Sequence, residues 1–372
     1  MKKIIFFLLL SFPFNILSDE CNSTFLQNIK CNTDFFAYAG YEYILSSAGR
    51  PLKPRPIAGF SVNYSPHDWL RFTLAMNLED TYNIDDILTF GFLTLTHKFD
   101  ENWGIKLRTG RIKNQHGLYN EILNNPLLRP TLIPAQGIYF EPLRSLFQSV
   151  NGISLSVLYN DFEVGYTIGS PKVINSSLVA RFLLNTDEVK LTENFGDIQN
   201  FFFNWRSSNS YWTIRGNHTI SRMSPTGNNV NSVADQDYTQ LGIIYDGNGW
   251  SFSAEVMNVS IPQEKFFDSA YAFSLFLDYD INERWQAYIA YNQFKVAHNK
   301  YARLTVDTKN DRINSLYARD ISIGNKFYWN NFVLGAEIHL VEGAVWLPLK
   351  EQQRFNHNKW IYGAVQLFYY WD

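Results

Sequence analysis

Cysteine is nearly absent from this chain: there are 2 in 372 residues, Cys21 and Cys31, so no disulfide framework can hold anything beyond residue 31. Past the first twenty residues no run of 18 apolar residues occurs, which excludes spanning α-helices. A basic excess is also missing. Lys+Arg number 32 against 35 Asp+Glu, a net charge of −3, which argues against a nucleic-acid partner. The seven histidines, at 67, 97, 116, 218, 298, 339 and 357, keep no zinc-ligand spacing, so no metal site is expected. No Gly-x-Ser-x-Gly elbow, phosphate loop or dinucleotide fingerprint is found either, so no catalytic residues and no cofactor are expected. Spacing alone leaves one enzymatic reading, a hydrolase assembled on separate strands, for which His339 is the inward-facing histidine. Residues 307–311 faintly resemble a calcium loop but lack the later Gly and Glu.

Aromatic residues are abundant instead. Ten Trp, 22 Tyr and 30 Phe make 17% of the chain, although mean hydropathy is only −0.21. At the N-terminus, Lys2 and Lys3 precede the apolar run Ile4–Leu10, with Ser18 before the acidic Asp19 and Glu20. A charged start, a short apolar core and a small residue describe a secretory signal peptide over 1–18. A short periplasmic segment, 19–34, would follow, with the remainder of the chain at 35–372. Glu20 stands where lipid attachment at Cys21 would want a small residue. Cys21 and Cys31 could close one small loop in an oxidising compartment or remain as two thiols in a tail.

From residue 35 onward the period is two. In 69–79, Leu70, Phe72, Leu74, Met76 and Leu78 share one face, and Arg71, Thr73, Ala75, Asn77 and Glu79 share the other. Phe332, Leu334, Ala336, Ile338 and Leu340 alternate in the same way with Val333, Gly335, Glu337 and His339. No helical period competes, so the chain is all-β. Two architectures host such alternation, a soluble sandwich with its oily face inside and a membrane barrel with its oily face outside. Many segments reach ten residues, the length that crosses a bilayer at a tilt. Aromatics cluster beside the turns, as at Tyr159 and Phe162, Tyr245 and Trp250, and Tyr279 and Trp285, where an interfacial girdle needs them. Connection lengths alternate as well. Short turns fall at 65–68, 100–102, 160–161, 207–209, 246–249, 280–283 and 328–331. Eight longer, more polar stretches lie between them, at about 47–56, 80–85, 114–148, 171–198, 223–236, 261–269, 297–316 and 343–357. Seven turns and eight loops join sixteen strands, with both termini on the short-turn, periplasmic side and the long loops extracellular.

This organisation resembles the sixteen-stranded porins of the Gram-negative outer membrane over residues 35–371. The last segment puts Ile361, Gly363, Val365, Leu367, Tyr369 and Trp371 on one face, similar to the C-terminal insertion signal of such barrels, although here Asp372 follows the final aromatic. The stretch Arg108–Asn114, with Gly117–Asn120 and Arg129–Pro130, is similar to a group of proteobacterial porin-like barrels. The longest loop, 114–148, holds the position at which porins fold a third external loop into the lumen. The resemblance implies a multi-pass outer-membrane channel for small hydrophilic solutes, a homotrimer in contact with outer-membrane lipid and lipopolysaccharide.

The residues themselves make that loop an inward one. Pro126, Pro130, Pro134 and Pro142 restrict its path, and its many apolar residues favour packing inside the barrel over a solvated flap. A channel works through its lumen charges and its narrowest ring. Inward parity falls on Glu42, Arg71, Lys98, Lys106, Arg108, Glu163, Arg215, Glu255, Asp320, Lys326, Glu337 and His339, among others. Arg71, Lys98, Lys106 and Arg108, on the third to fifth strands, form a basic strip; Glu121, Arg129, Glu141 and Arg144 are the charges of the facing loop. These eight are the expected pore-lining and constriction residues. A basic strip between low-dielectric walls concentrates anions, so weak anion preference is expected despite the acidic pI. The competing expectation is a plugged barrel that serves as a surface adhesion or assembly module, its lumen closed by the apolar loop.

Overall fold

The computed structural model describes residues 32–47, 54–79, 88–123, 125–139, 149–171, 197–223, 226–227, 230–231, 234–260, 269–296, 317–346 and 359–371. The signal peptide, Cys21 and Cys31, and the loop residues Glu141 and Arg144 lie outside them. The strands are β1 (Thr33–Ser46), β2 (Arg55–His67), β3 (Leu70–Glu79), β4 (Leu88–Lys98), β5 (Trp103–Lys113), β6 (Ser149–Tyr159), β7 (Phe162–Pro171), β8 (Ile198–Arg206), β9 (Trp212–Met223), β10 (Thr226–Gly227), β11 (Val230–Asn231), β12 (Ala234–Gly247), β13 (Trp250–Ser260), β14 (Ser269–Asn282), β15 (Trp285–Val296), β16 (Tyr317–Trp329), β17 (Phe332–Gly343) and β18 (Lys359–Trp371). The pair β10–β11 forms a separate two-stranded ribbon, and the other sixteen close an antiparallel barrel in which β1 pairs with β18.

Closure leaves no edge strand, so every wall strand has a hydrogen-bonded neighbour on both sides. The period of two decides which face is out. On β17, Leu334, Ile338 and Leu340 are exposed on the outer wall, while Val333, Glu337, Val341 and His339 are buried inside. A register slip of one residue would put Glu337 and His339 in lipid, so pairing is strongly specified. The outer wall ends at the short-turn side in a ring of aromatic pairs. Trp103 meets Tyr159 at 4.5 Å, Trp212 meets Tyr245 at 4.9 Å, Trp250 meets Tyr279 at 4.4 Å and Trp285 meets Phe327 at 4.7 Å. Each pair joins neighbouring strands and contributes about 0.5–1.5 kcal/mol beyond its burial.

The seven short turns and eight long connections stand where the pattern puts them, with one shift. The first turn sits at Asp68 and Trp69 rather than 65–68, because β2 runs on to His67 through a register shift between Tyr64 and His67. A bulge there takes Ser65 and Pro66 into the strand, where a proline without an N–H costs little. Turn chemistry explains the tightest hairpin: Asn248 and Gly249 both adopt positive φ, 58° and 74°, as the favoured two-residue hairpin turn requires.

Candidate functional site

The segment after β5 turns into the barrel. Asn200 on β8 donates from Nδ2 to Asn114 Oδ1 at 2.8 Å and to the Gln115 carbonyl at 3.0 Å. The Gly117 N–H then donates to Asn217 Oδ1 (3.0 Å), and the Leu118 N–H to Glu255 Oε1 (2.8 Å). Tyr139 returns to the same carboxylate, its hydroxyl 2.7 Å from Glu255 Oε2, and itself accepts from the Tyr119 N–H at 2.9 Å. Further along, the Leu132 and Ile133 N–H groups both donate to the Glu337 carboxylate, at 2.8 and 3.3 Å, and Lys326 Nζ donates to the Arg129 carbonyl. Two wall carboxylates, on β13 and on β17, thus hold the loop by its backbone amides.

Packing completes the attachment. Leu123, Ile138 and Tyr139 of the loop form one buried cluster with Tyr238, Met257, Val259, Ala270 and Ala272 of the wall. Where the loop lies closest, the wall has glycine. A Cβ on Gly242 would stand 2.4 Å from Leu118 Cγ, and one on Gly335 would stand 2.6 Å from Leu132 Cδ2. These two positions are footprints of the loop on the inner wall.

The loop covers the inner wall unequally. Beneath it, Glu42, Glu255, Asp320, Lys326 and His339 are at most 3% exposed. On the side of β5, β7 and β9, inner charges keep access to solvent: side-chain exposures are 16% at Lys106, 17% at Glu163, 27% at Arg215 and 25% at Glu121 on the loop. Lys106 Nζ pairs with Glu163 Oε2 at 2.7 Å, and Arg215 Nη1 with Glu121 Oε2 at 3.5 Å. Burial pushes the Glu121 carboxyl up, but the cations of Arg215, Lys113 and Arg108 outweigh it, and the group titrates below its ordinary value. Arg108 is the half-buried cation between these two pairs, and among the described residues no carboxylate lies within ion-pair distance of it. On the loop itself, burial depresses the His116 imidazole to about 3 and raises the phenols of Tyr119 and Tyr139.

The structure therefore brings together Lys106, Arg108 and Glu121 of the eight residues read from the sequence, and adds Arg215, Glu163 and Lys113. Arg71 and Lys98 face inward but sit at the short-turn rim: Arg71 is the second residue of β3, with Nε 3.1 Å from Ser65 Oγ, and Lys98 ends β4. Arg129 does not line open lumen. It is 2% exposed, donates from Nε to the Leu123 carbonyl at 2.5 Å and lies 3.9 Å from Glu42. Alternation reveals which face a residue takes, and Arg215 and Glu163 were legible at that level. The pairing of Arg215 with Glu121 was not, because it depends on the loop's path.

The inward histidine of the hydrolase reading has its own geometry. His339 Nδ1 faces Asp320 Oδ2 at 2.8 Å, Nε2 contacts Glu337 Oε1, and the ring stacks on Tyr362 at 4.0 Å. Ser322 is its cross-strand neighbour, but the Ser322 hydroxyl meets no hydrogen-bond partner among the described residues. With both ring nitrogens committed to carboxylates, none is left to take a proton from a hydroxyl. Among the described residues no group of three His, Cys, Asp or Glu is placed to hold a metal ion.

A closed sixteen-stranded antiparallel barrel, apolar outside, ringed by aromatics and narrowed by a loop from between its fifth and sixth strands, is a transmembrane barrel of porin type. Solved structures agree on the fold. OmpT, an outer membrane protein of Vibrio cholerae, superposes with a TM-score of 0.59 at 12% identity, covering 91% of this chain and 97% of its own. OmpF of Salmonella typhi gives the same values, and an anion-selective porin from Comamonas acidovorans gives 0.55 at 11% identity over 91% and 99%. No protein-family model and no curated protein matches the sequence.

Proposed function

We propose that this protein is a passive channel of the Gram-negative outer membrane for small hydrophilic solutes, with weak anion preference. The reading rests on one observation. The inward loop buries the charges of one side of the lumen and leaves Lys106, Arg108, Arg215, Glu121 and Glu163 accessible on the other. Two ion pairs there cancel, and Arg108 and Lys113, neither within ion-pair distance of a carboxylate among the described residues, leave that side net positive. A fixed positive charge in a narrow, low-dielectric passage raises the local anion concentration. Arg71 and Lys98 add positive charge at the short-turn mouth and steer rather than select. Reconstitution of the trimer implied by the resemblance should give conductance in steps of three, with a reversal potential on the anion side under a salt gradient. Arg108→Ser should move that potential toward cations. Folded protein without any conductance would refute the channel.

The plugged-barrel reading has one supporting observation, the anchoring of the loop to both β13 and β17. Liposome swelling with sugars of increasing size separates the two, since a plugged barrel admits none. We further propose that residues 1–18 are a removed leader; the intact mass of the membrane form would show it.

A further inference from the structure

One large apolar side chain inside the lumen is left exposed. Leu128, on the inward loop, is 53% exposed, whereas every other exposed large apolar side chain among the described residues lies on the outer wall or beside a short turn. Its neighbour Leu127 shows where it stands. Leu127 packs on the inner-wall cluster of Tyr38, Ile57 and Phe368, together with Phe36 and Tyr370. Phe36 is near the start of β1 and Tyr370 near the end of β18, with their rings 6.2 Å apart, and the Tyr370 hydroxyl donates to the Asn330 carbonyl of a short turn at 3.3 Å. Leu128 therefore continues an apolar shelf at the short-turn end of the lumen. Removing such surface from water is favourable, and an exposed apolar patch marks a place where something docks.

The chain itself supplies the nearest cover. Asn32, which precedes β1, is tied to this mouth, its carbonyl accepting from the Ser65 N–H at 2.8 Å. Residues 19–31 run up to that point and lie outside the described residues; they carry Phe25, Leu26 and Ile29, with Asp19 and Glu20 at their far end. Charge fits as well as apolarity. Arg71 and Lys98 face inward at the same mouth, are exposed, and have no carboxylate within 4 Å among the described residues. Arg71 Nε lies 3.1 Å from the hydroxyl of Ser65, the residue that holds Asn32. Reach is ample. An extended chain of this length spans about 40 Å, and β1 to β4 is three strand spacings, about 14 Å.

We infer that residues 19–31 turn back into the short-turn mouth, with Phe25, Leu26 and Ile29 seated on the Leu128 shelf and Asp19 and Glu20 beside Arg71 and Lys98. The occupant of the shelf is thus a segment of this same chain. The inward loop narrows the lumen at one level, and this segment narrows it at a second, nearer the short turns.

The test is a disulfide trap in the membrane form of the full chain, with both native cysteines replaced. C21S/C31S/F25C/L128C is oxidised while folded in detergent, then unfolded and capped with a maleimide, and intact mass counts the thiols left free. None should remain in this variant. Both should remain in C21S/C31S/F25C/L241C, because Leu241 is exposed on the outer wall. Retarded migration without heating reports that each barrel is folded; if the F25C variants do not fold, L26C replaces F25C in the same trap. As a second readout, F25S/L26S/I29S, which keeps the chain length and the leader junction, should conduct more than the native protein. Two free thiols in the folded Leu128 trap, a disulfide in the Leu241 control, or native conductance of F25S/L26S/I29S overturns the inference. If neither protein conducts at all, the channel proposal has failed and the thiol count still decides this one.

Discussion

Removing the Glu255 carboxylate should undock the near half of the inward loop. That group accepts the Leu118 N–H at 2.8 Å and the Tyr139 hydroxyl at 2.7 Å, and Tyr139 in turn holds the Tyr119 N–H. Hydrogen bonds to a charged acceptor contribute about 1.5–3 kcal/mol each, so losing two with Glu255→Ala should cost the docked loop roughly 3–6 kcal/mol. Two attachments would remain nearby, Gly117 to Asn217 and Leu118 to Arg215 at 2.9 Å. The loop should therefore fluctuate rather than leave, seen as a noisier open state and a higher mean conductance. Glu255→Gln keeps one acceptor oxygen and should cost only about 1 kcal/mol. Adding Glu337→Ala weakens the far attachment, leaving Lys326 on the Arg129 carbonyl; because the two carboxylates touch different parts of the loop, the costs should approximately add. The double variant should admit larger sugars in liposome swelling. If folded Glu255→Ala shows native conductance, native noise and a native size limit, the loop is not held as described.

Acid should loosen the same loop. His116 takes a proton near 6.5 when free but only near 3 when docked, so its contribution is whole above pH 6.5 and is lost as pH falls toward 3. At pH 4.5 the loss is about 3 kcal/mol, readable as faster amide exchange over 114–123 after correction for intrinsic rates, and His116→Asn should abolish the difference. Glu121 titrates below its ordinary value, so its pair with Arg215 persists at pH 5–8 and fails only below about 4.5; Glu121→Gln should strengthen anion preference at all those pH values, measured as reversal potential. Gly242→Ala places a methyl against Leu118, an overpacking that should destabilise docking by about 1–3 kcal/mol, whereas Gly249→Ala, which strains only the positive-φ turn and meets no atom of the loop, should leave the size limit of the channel untouched.

How legible this was depends on range. The strands and their number were readable because alternation is local and repeats sixteen times. The turn at 65–68 was displaced because a bulge breaks alternation without leaving a distinctive sequence mark, and Pro66 looks like a turn residue in either setting. Arg71 and Arg108 share inward parity, yet one sits at the rim and the other beside the loop. A period of two gives the face but not the depth, which the stagger of a tilted barrel sets. The loop's inward packing was suggested by its prolines and apolar side chains. Its anchors, Glu255 and Glu337, could be placed on the inner face but not assigned a partner, because those partners lie 137 and 205 residues away.

Those separations impose an order of assembly. The amides of Leu118 and Leu132 belong to the N-terminal half of the chain, while the carboxylates that receive them arrive on β13 and β17. Non-local contacts form only after the intervening chain is organised. A barrel that lacks β13 and β17 would hold residues 114–118 on β8 and β9 but would have neither carboxylate to receive Leu118, Leu132 and Ile133. Narrowing of the lumen is then a late event of biogenesis, set by when the C-terminal half of the wall is in place.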